Sequence, residues 1–215
     1  TQIRGPLLAV TQAEFDGYTD QKKQGLLPNL TSLGHDRYTP TWQDVLNYRS
    51  AVINNFNHIV PGNDLQWQAF NGNGSANPDA AYALAFANGL TAGAVHVVWE
   101  KPDWPTPAEY REGATFNPQD FHDDLIADRL SSTGIMNFYS DSGPGVTITD
   151  WNVLNEPLHV THYSDTFETA GIYASNIEAW ADYFIRADVI RPDARLLIND
   201  YNILNSASDT ATIQY

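Results

Sequence analysis

From Thr41 onward the chain alternates amphipathic helical stretches with short apolar runs rich in β-formers, and this alternation narrows the possible folds more than any other feature. Trp42, Val45, Leu46, Arg49, Val52, Ile53 and Phe56 follow helical spacing behind a capping Thr39 or Thr41. Phe56 to Val60 reads as a strand that ends at the turn Pro61-Gly62-Asn63. Asn71 to Pro78 reads as a Gly/Asn/Ser loop, and Asp79 to Asn88 as a helix closed by Gly89. Ala94 to Trp99 (AVHVVW) has the uninterrupted apolar character of a strand buried on both faces. Asn117-Pro118 opens a helix that runs to about Leu130, with proline at its first position. A strand within Val146 to Leu154, a helix over Ser175 to Ile190 and a strand at Arg195 to Asn199 (RLLIN) complete the series. In that helix the stripe Ile177, Trp180, Ala181, Phe184, Ile185 and Val189 is the expected buried face.

Strands separated by helices pair in parallel, either in an open doubly wound sheet or in a barrel. No glycine-rich dinucleotide loop or P-loop follows any strand, so the usual nucleotide readings lose their support. The 11 basic and 26 acidic side chains give a net charge of −15, which opposes binding to nucleic acid or an anionic membrane. The absence of cysteine excludes disulfides, thiolate metal sites and cysteine nucleophiles. No apolar run reaches the roughly 18 residues of a membrane span. Asn29 and Asn73 stand in N-glycosylation sequons, of use only in a secreted eukaryotic protein, and an extracellular or secreted location is the expectation. Residues 1–38 form an N-terminal segment of weak pattern, and 39–215 the barrel-type domain.

Polar residues cluster just after each expected strand: Asn63, Asp64, Gln66 and Trp67; Trp99, Glu100, Lys101, Asp103 and Trp104; Asn155, Glu156, His159 and His162; Asn199, Asp200, Tyr201 and Asn202. In a parallel barrel all four groups reach the same C-terminal rim, where catalysis is housed. Hydrogen-bonding groups among aromatics there describe a sugar-sized cleft, with Trp67, Trp99 and Trp104 as stacking candidates. The sharpest stretch is Trp151-Asn152-Val153-Leu154-Asn155-Glu156-Pro157. It ends an apolar strand in Asn-Glu, and a part-buried carboxyl beside aromatics favours the protonated form that a general acid needs. A strand-end Glu paired with a nearby Arg or Lys is the plainer reading of that tripeptide alone. The acidic cluster Asp120, His122, Asp123 and Asp124 suits a helix start rather than a metal. No metal site or cofactor is expected.

At these residues the chain resembles family 10 of the glycoside hydrolases, the endo-β-1,4-xylanases. Trp151 to Leu158 (WNVLNEPL) resembles the strand carrying that family's acid/base. Phe56 to Trp67 (FNHIVPGNDLQW), Val95 to Trp104 (VHVVWEKPDW) and Phe184 to Asn202 (FIRADVIRPDARLLINDYN) resemble three further family stretches in the same order. The resemblance runs from about Trp42 to Ile203. It implies a (β/α)8 TIM barrel, with about the first five βα units in this chain. It also implies a retaining glycosidase acting on β-1,4-linked, xylan-like polysaccharide or oligosaccharide. By the same resemblance Glu156 is the general acid/base and Asn155 its partner at the sugar 2-hydroxyl. Asn63 contacts the glycone, Trp99 shapes the subsite at the cleavage point, and Asn199 and Tyr201 belong to the strand-five rim.

Four positions depart from the family pattern. Gly62 stands for a Glu, Gln66 for a Lys, Val95 for a His (with His96 one place along) and Glu100 for a His. Gln66 and Glu100 remain candidates for substrate binding, while xylan specificity is open. The family's nucleophile, a Glu near the end of the seventh strand, has no counterpart before Tyr215. Glu100, Asp103 and Asp200 are other carboxylates expected on the rim, with pairing to Lys101 or an Arg the plainer role for Glu100. Three arrangements fit: a piece of a longer protein whose C-terminal half completes the barrel, a second chain that completes it, or a relative without catalysis. The rival functions are a non-catalytic carbohydrate-binding or structural protein on this scaffold, and a hydrolase of another family in the same clan.

Overall fold

The structure, a computed structural model, describes residues 11–18, 41–74, 76–139 and 148–201. Of the N-terminal segment only a one-turn helix is seen, α1 (Gln12–Asp16), capped by Thr11 and Glu14. Its Phe15 packs with Val45 and Trp42 of α2 (Trp42–Asn55). Of the two capping threonines the sequence offers, Thr39 and Thr41, it is Thr41 that caps α2, in a reciprocal pair with Asp44. The Asn29 sequon lies outside the described residues, and Asn73 ends α3 (Trp67–Asn73).

The strands are β1 (His58–Ile59), β2 (Thr91–Ala94), β3 (Val98–Trp99), β4 (Ile148–Asn155) and β5 (Arg195–Asn199). All pairings are parallel: β1 with β2, β2 and β3 with β4, and β4 with β5. β2 and β3 lie end to end along β4, so they are two pieces of the single strand expected at Ala94 to Trp99. Ala94 faces Trp151 and Val98 faces Leu154, four residues against three, and the extra residue breaks the strand. The result is a sequential arc of four parallel barrel strands, the architecture of a (β/α)8 barrel. Any further strand of the expected five falls outside the described residues.

The outer layer carries α4 (Ala76–Ala87), α5 (Pro118–Arg129), α6 (Ile135–Phe138), α7 (His162–Thr169) and α8 (Asn176–Ile190). β4 is the buried centre, with Trp151, Val153 and Leu154 almost wholly covered. Near the strand starts, Asp150 of β4 accepts from Nε and Nη2 of Arg195, each at 2.6 Å, and His58 Nε2 lies 3.6 Å from it across β2. Gly93 makes that crossing possible, since a Cβ there would stand 2.9 Å from His58 Nε2.

Three sequence expectations change. The loop predicted over Asn71 to Pro78 is mostly helical, for α3 extends to Asn73 and α4 starts at Ala76. α3 is pinned by Gln68 N–H donating to Pro105 O and by the Trp67 indole donating to Asp128. α7 has no counterpart in the prediction. In α8 the buried residues are Ala179, Tyr183 and Ala187, while Ile177, Ile185 and Val189 of the expected core stripe are exposed. Small alanines and a tyrosine let the helix lie close on β4, which outweighs the hydrophobicity of the neighbouring face.

Candidate active site

β4 ends at Asn155, and Glu156 follows with φ 55°, the one described non-glycine residue at positive φ. This turn takes Glu156 out of strand alternation while its N–H still donates to Asn199 O on β5 at 2.7 Å. The Trp99 indole Nε1, from the end of β3, donates to Glu156 Oε2 at 3.1 Å. Asn199 Nδ2 donates to Asn155 Oδ1 at 2.7 Å. Lys101 lies over the Trp99 ring, its Nζ 5.1 Å from the centroid. The ends of three adjacent barrel strands thus bring Trp99, Asn155, Glu156 and Asn199 into one hydrogen-bonded group.

Asn63 opens a 3-10 turn after β1, and its Oδ1 accepts from Gln66 Nε2 at 2.9 Å. Gln66 is buried, its Oε1 has no hydrogen-bond partner, and with His96 and Trp99 it lines a cavity of about 10 Å³. That cavity is about the size of one water. His96 is the site residue that the motif comparison understates. The extra residue between β2 and β3 brings His96 into place, with its ring 5.4 Å from that of Trp99. Its signal in the sequence is the one-place offset of the histidine. Tyr201 is half exposed and lies on His159. The site is an open rim. A roomier groove of about 350 Å³, lined by Leu130, Ile185 and Val189, is remote from it on the outside of the barrel arc.

Two sequence expectations are corrected here. Trp67 is core, packed among Tyr110, Phe121 and Tyr163, and is unavailable for stacking on a sugar. Glu100 is fully buried on the side away from the cleft, so it contacts no substrate there and is no nucleophile candidate. Nor does it pair with Lys101, which bridges to Asp103. Its Oε2 accepts from Ser164 N at 3.1 Å and from Ser164 Oγ at 2.6 Å in α7, and its backbone O accepts from His162 N. The Tyr183 hydroxyl and the Trp180 indole face the carboxyl without closing to hydrogen-bond geometry.

Burial pushes Glu100 up from 4.5 to about 7, against the opposing pull of Ser164. Unfolded, the group loses its proton near 4.5. Folded, it keeps it to about 7. Between those values the native state binds more protons, so stability falls as pH rises through the window and is level above it. The shift is worth roughly 3 kcal/mol. Glu100→Gln retains an acceptor for Ser164 and removes the titration. The stability of the variant relative to the parent should therefore rise by about that amount between pH 4.5 and 7.5, read by urea denaturation across pH. A pH-independent difference would contradict this.

The fold is shared with solved xylanases. Xylanase 10C of Cellvibrio japonicus, solved with xylopentaose, superposes with a TM-score of 0.57 at 25% identity, over 73% of this chain and 31% of its own. Xylanase 10B of Thermotoga maritima gives 0.58 at 19% identity, over 76% and 47%. Xylanase 10B of Thermotoga petrophila, solved with xylobiose, gives 0.59 at 16% identity, over 81% and 50%. The chain therefore spans between about a third and a half of the length of these structures. None of the curated proteins matches it in sequence. Residues 31–215 match the model of glycosyl hydrolase family 10, and the chain belongs to that family.

Proposed function

We propose that the protein is a retaining glycoside hydrolase that cleaves β-1,4-linked, xylan-like polysaccharide outside the cell, with Glu156 as general acid/base. The observation that carries this reading is the Glu156 carboxyl at the end of β4, held by the Trp99 indole and flanked by Asn155 and Asn199. With Oε2 fixed by Trp99, Oε1 is the oxygen that would deliver a proton to the glycosidic oxygen. Asn155 Oδ1 is taken by Asn199, so its Nδ2 is the donor it would offer a sugar hydroxyl. The bond to the leaving sugar breaks as that sugar takes the proton from Glu156, while a carboxylate nucleophile bonds to the anomeric carbon. Glu156, now ionised, removes a proton from water, which displaces the nucleophile and frees the sugar.

The nucleophile comes from outside these residues, in the C-terminal half of the barrel or in a second chain. Among the described residues the three rim candidates have other partners: Glu100 with Ser164, Asp103 with Lys101, and Asp200 with His159 and backbone amides. A screen of the whole polypeptide on xylan, mannan, mixed-linkage glucan and algal galactan tests the reading. Reducing ends released from xylan are expected. Release only from another polymer would favour a hydrolase of different specificity. The burial of Glu100 and the Gln at position 66 favour one rival, a carbohydrate-binding scaffold, for which binding without release would be decisive.

A further inference from the structure

Just past Glu156 lies a cluster that the mechanism above does not use. Asp200, nearly buried, accepts from three donors: Leu158 N at 2.9 Å, Tyr201 N at 2.7 Å and His159 Nδ1 at 2.7 Å. The His159 imidazole lies nearly parallel to the Tyr201 ring, with centroids 3.8 Å apart and planes at 22°. Its backbone N–H donates to Glu156 O at 3.0 Å, so the ring is fixed to the turn that presents Glu156. With Nδ1–H committed to Asp200, the neutral ring keeps an acceptor lone pair at Nε2, which meets no partner among the described residues.

We infer that His159 is a specificity-determining residue of this site, its Nε2 accepting from a hydroxyl of the sugar on the leaving-group side of the scissile bond. The inference rests on the hydrolase reading above. Asn63, Gln66 and Trp99 occupy the β1–β3 side of Glu156, the side assigned to the glycone. A glycan crossing Glu156 then runs on to the β5 side, where His159 and Tyr201 stand. The aromatic pair offers an apolar face to pyranose C–H groups, and the Nε2 edge offers one directional acceptor. Asp200 fixes both, by orienting the ring and by bonding the backbone on either side.

The test is calorimetric titration of the whole polypeptide with xylopentaose, in a Glu156→Gln background that prevents turnover. His159→Phe keeps a ring on Tyr201 and removes Nε2. It should bind roughly 3- to 10-fold more weakly, the range for one lost hydrogen bond, when measured well below the thermal midpoint, which the loss of the Nδ1–Asp200 bond should also lower. His159→Ala should bind at least as weakly. In the parent, the ¹⁵N resonance of His159 Nε2 should shift when xylopentaose is added. Parent-like affinity in His159→Phe, or weaker binding that only follows a lower midpoint with Nε2 unmoved, would overturn the inference alone. A parent that binds no xylopentaose would overturn the glycan reading and this inference with it.

Discussion

Glu156→Gln should lower the turnover of xylan by on the order of 10³-fold or more, while xylopentaose binding stays within a few-fold of the parent. General acid–base catalysis contributes about 10²–10⁴ in rate, and in the proposed mechanism one carboxyl serves both half-reactions. The substitution is nearly isosteric, and the glutamine side-chain oxygen still accepts from the Trp99 indole, so the rim should keep its shape. The loss should depend on the leaving group. A xylan oxygen needs the proton, so bond cleavage itself slows. An aryl glycoside with an acidic phenol leaves unaided, so its first step should survive and the glycosyl-enzyme should accumulate for want of a base. Azide needs no deprotonation and should then release the sugar as a glycosyl azide. Equal turnover of xylan by parent and variant would remove Glu156 from the mechanism.

Arg129→Met should cost about 3–5 kcal/mol of stability, because three buried carbonyls lose a charged donor, each worth about 1–3 kcal/mol before relaxation. Arg129 is almost fully buried at the end of α5. It donates Nε to Val97 O at 2.9 Å and Nη2 to His96 O at 2.9 Å and to Leu65 O. Burial lowers its pKa from 12.5 to about 10, so it remains a cation at neutral pH. Its three acceptors lie in the break between β2 and β3 and in the turn carrying Asn63 and Gln66. One guanidinium thus holds both walls on the β1–β3 side of the site. Methionine fills the space but leaves the three carbonyls without their donor. At about 2–4 °C per kcal/mol for a chain of this size, the thermal midpoint should fall by roughly 6–20 °C. Arg129→Lys keeps the charge but not the planar fork, and should fall between. A loss below about 1 kcal/mol in the methionine variant would show that the carbonyls find other donors.

Much of this arrangement is legible in the sequence. Thr41, Asn117 and Ser175 mark helix starts that the structure keeps, because a capping side chain acts within one turn and needs no tertiary context. Asn155-Glu156 at the end of an apolar run places a carboxyl on the rim, because strand direction in a parallel barrel sends every strand end to one face. Failures occurred where tertiary contacts decide. In α8 two apolar faces compete, and only packing on β4 selects Ala179, Tyr183 and Ala187. Trp67 looks like a stacking residue until Asp128 and the aromatics around it draw it inward. The inward placement of Glu100 follows from strand alternation once Trp99 faces the cleft. Trp99 turns towards Glu156, so the next residue turns the other way, into α7 and α8. The offset of His96 from the family histidine marks the extra residue between β2 and β3, but only the register against β4 shows its size.

The central claim is that Glu156 works opposite a second carboxylate in a double displacement. The anomeric configuration of the first product tests it most directly. Hydrolysis of xylopentaose by the whole polypeptide, followed by ¹H NMR in the first minutes, should show the β-anomer appearing first and mutarotating to the equilibrium mixture. First appearance of the α-anomer would mean single displacement by water, with carboxyls about 6.5–9.5 Å apart rather than about 5–5.5 Å, and would contradict the account.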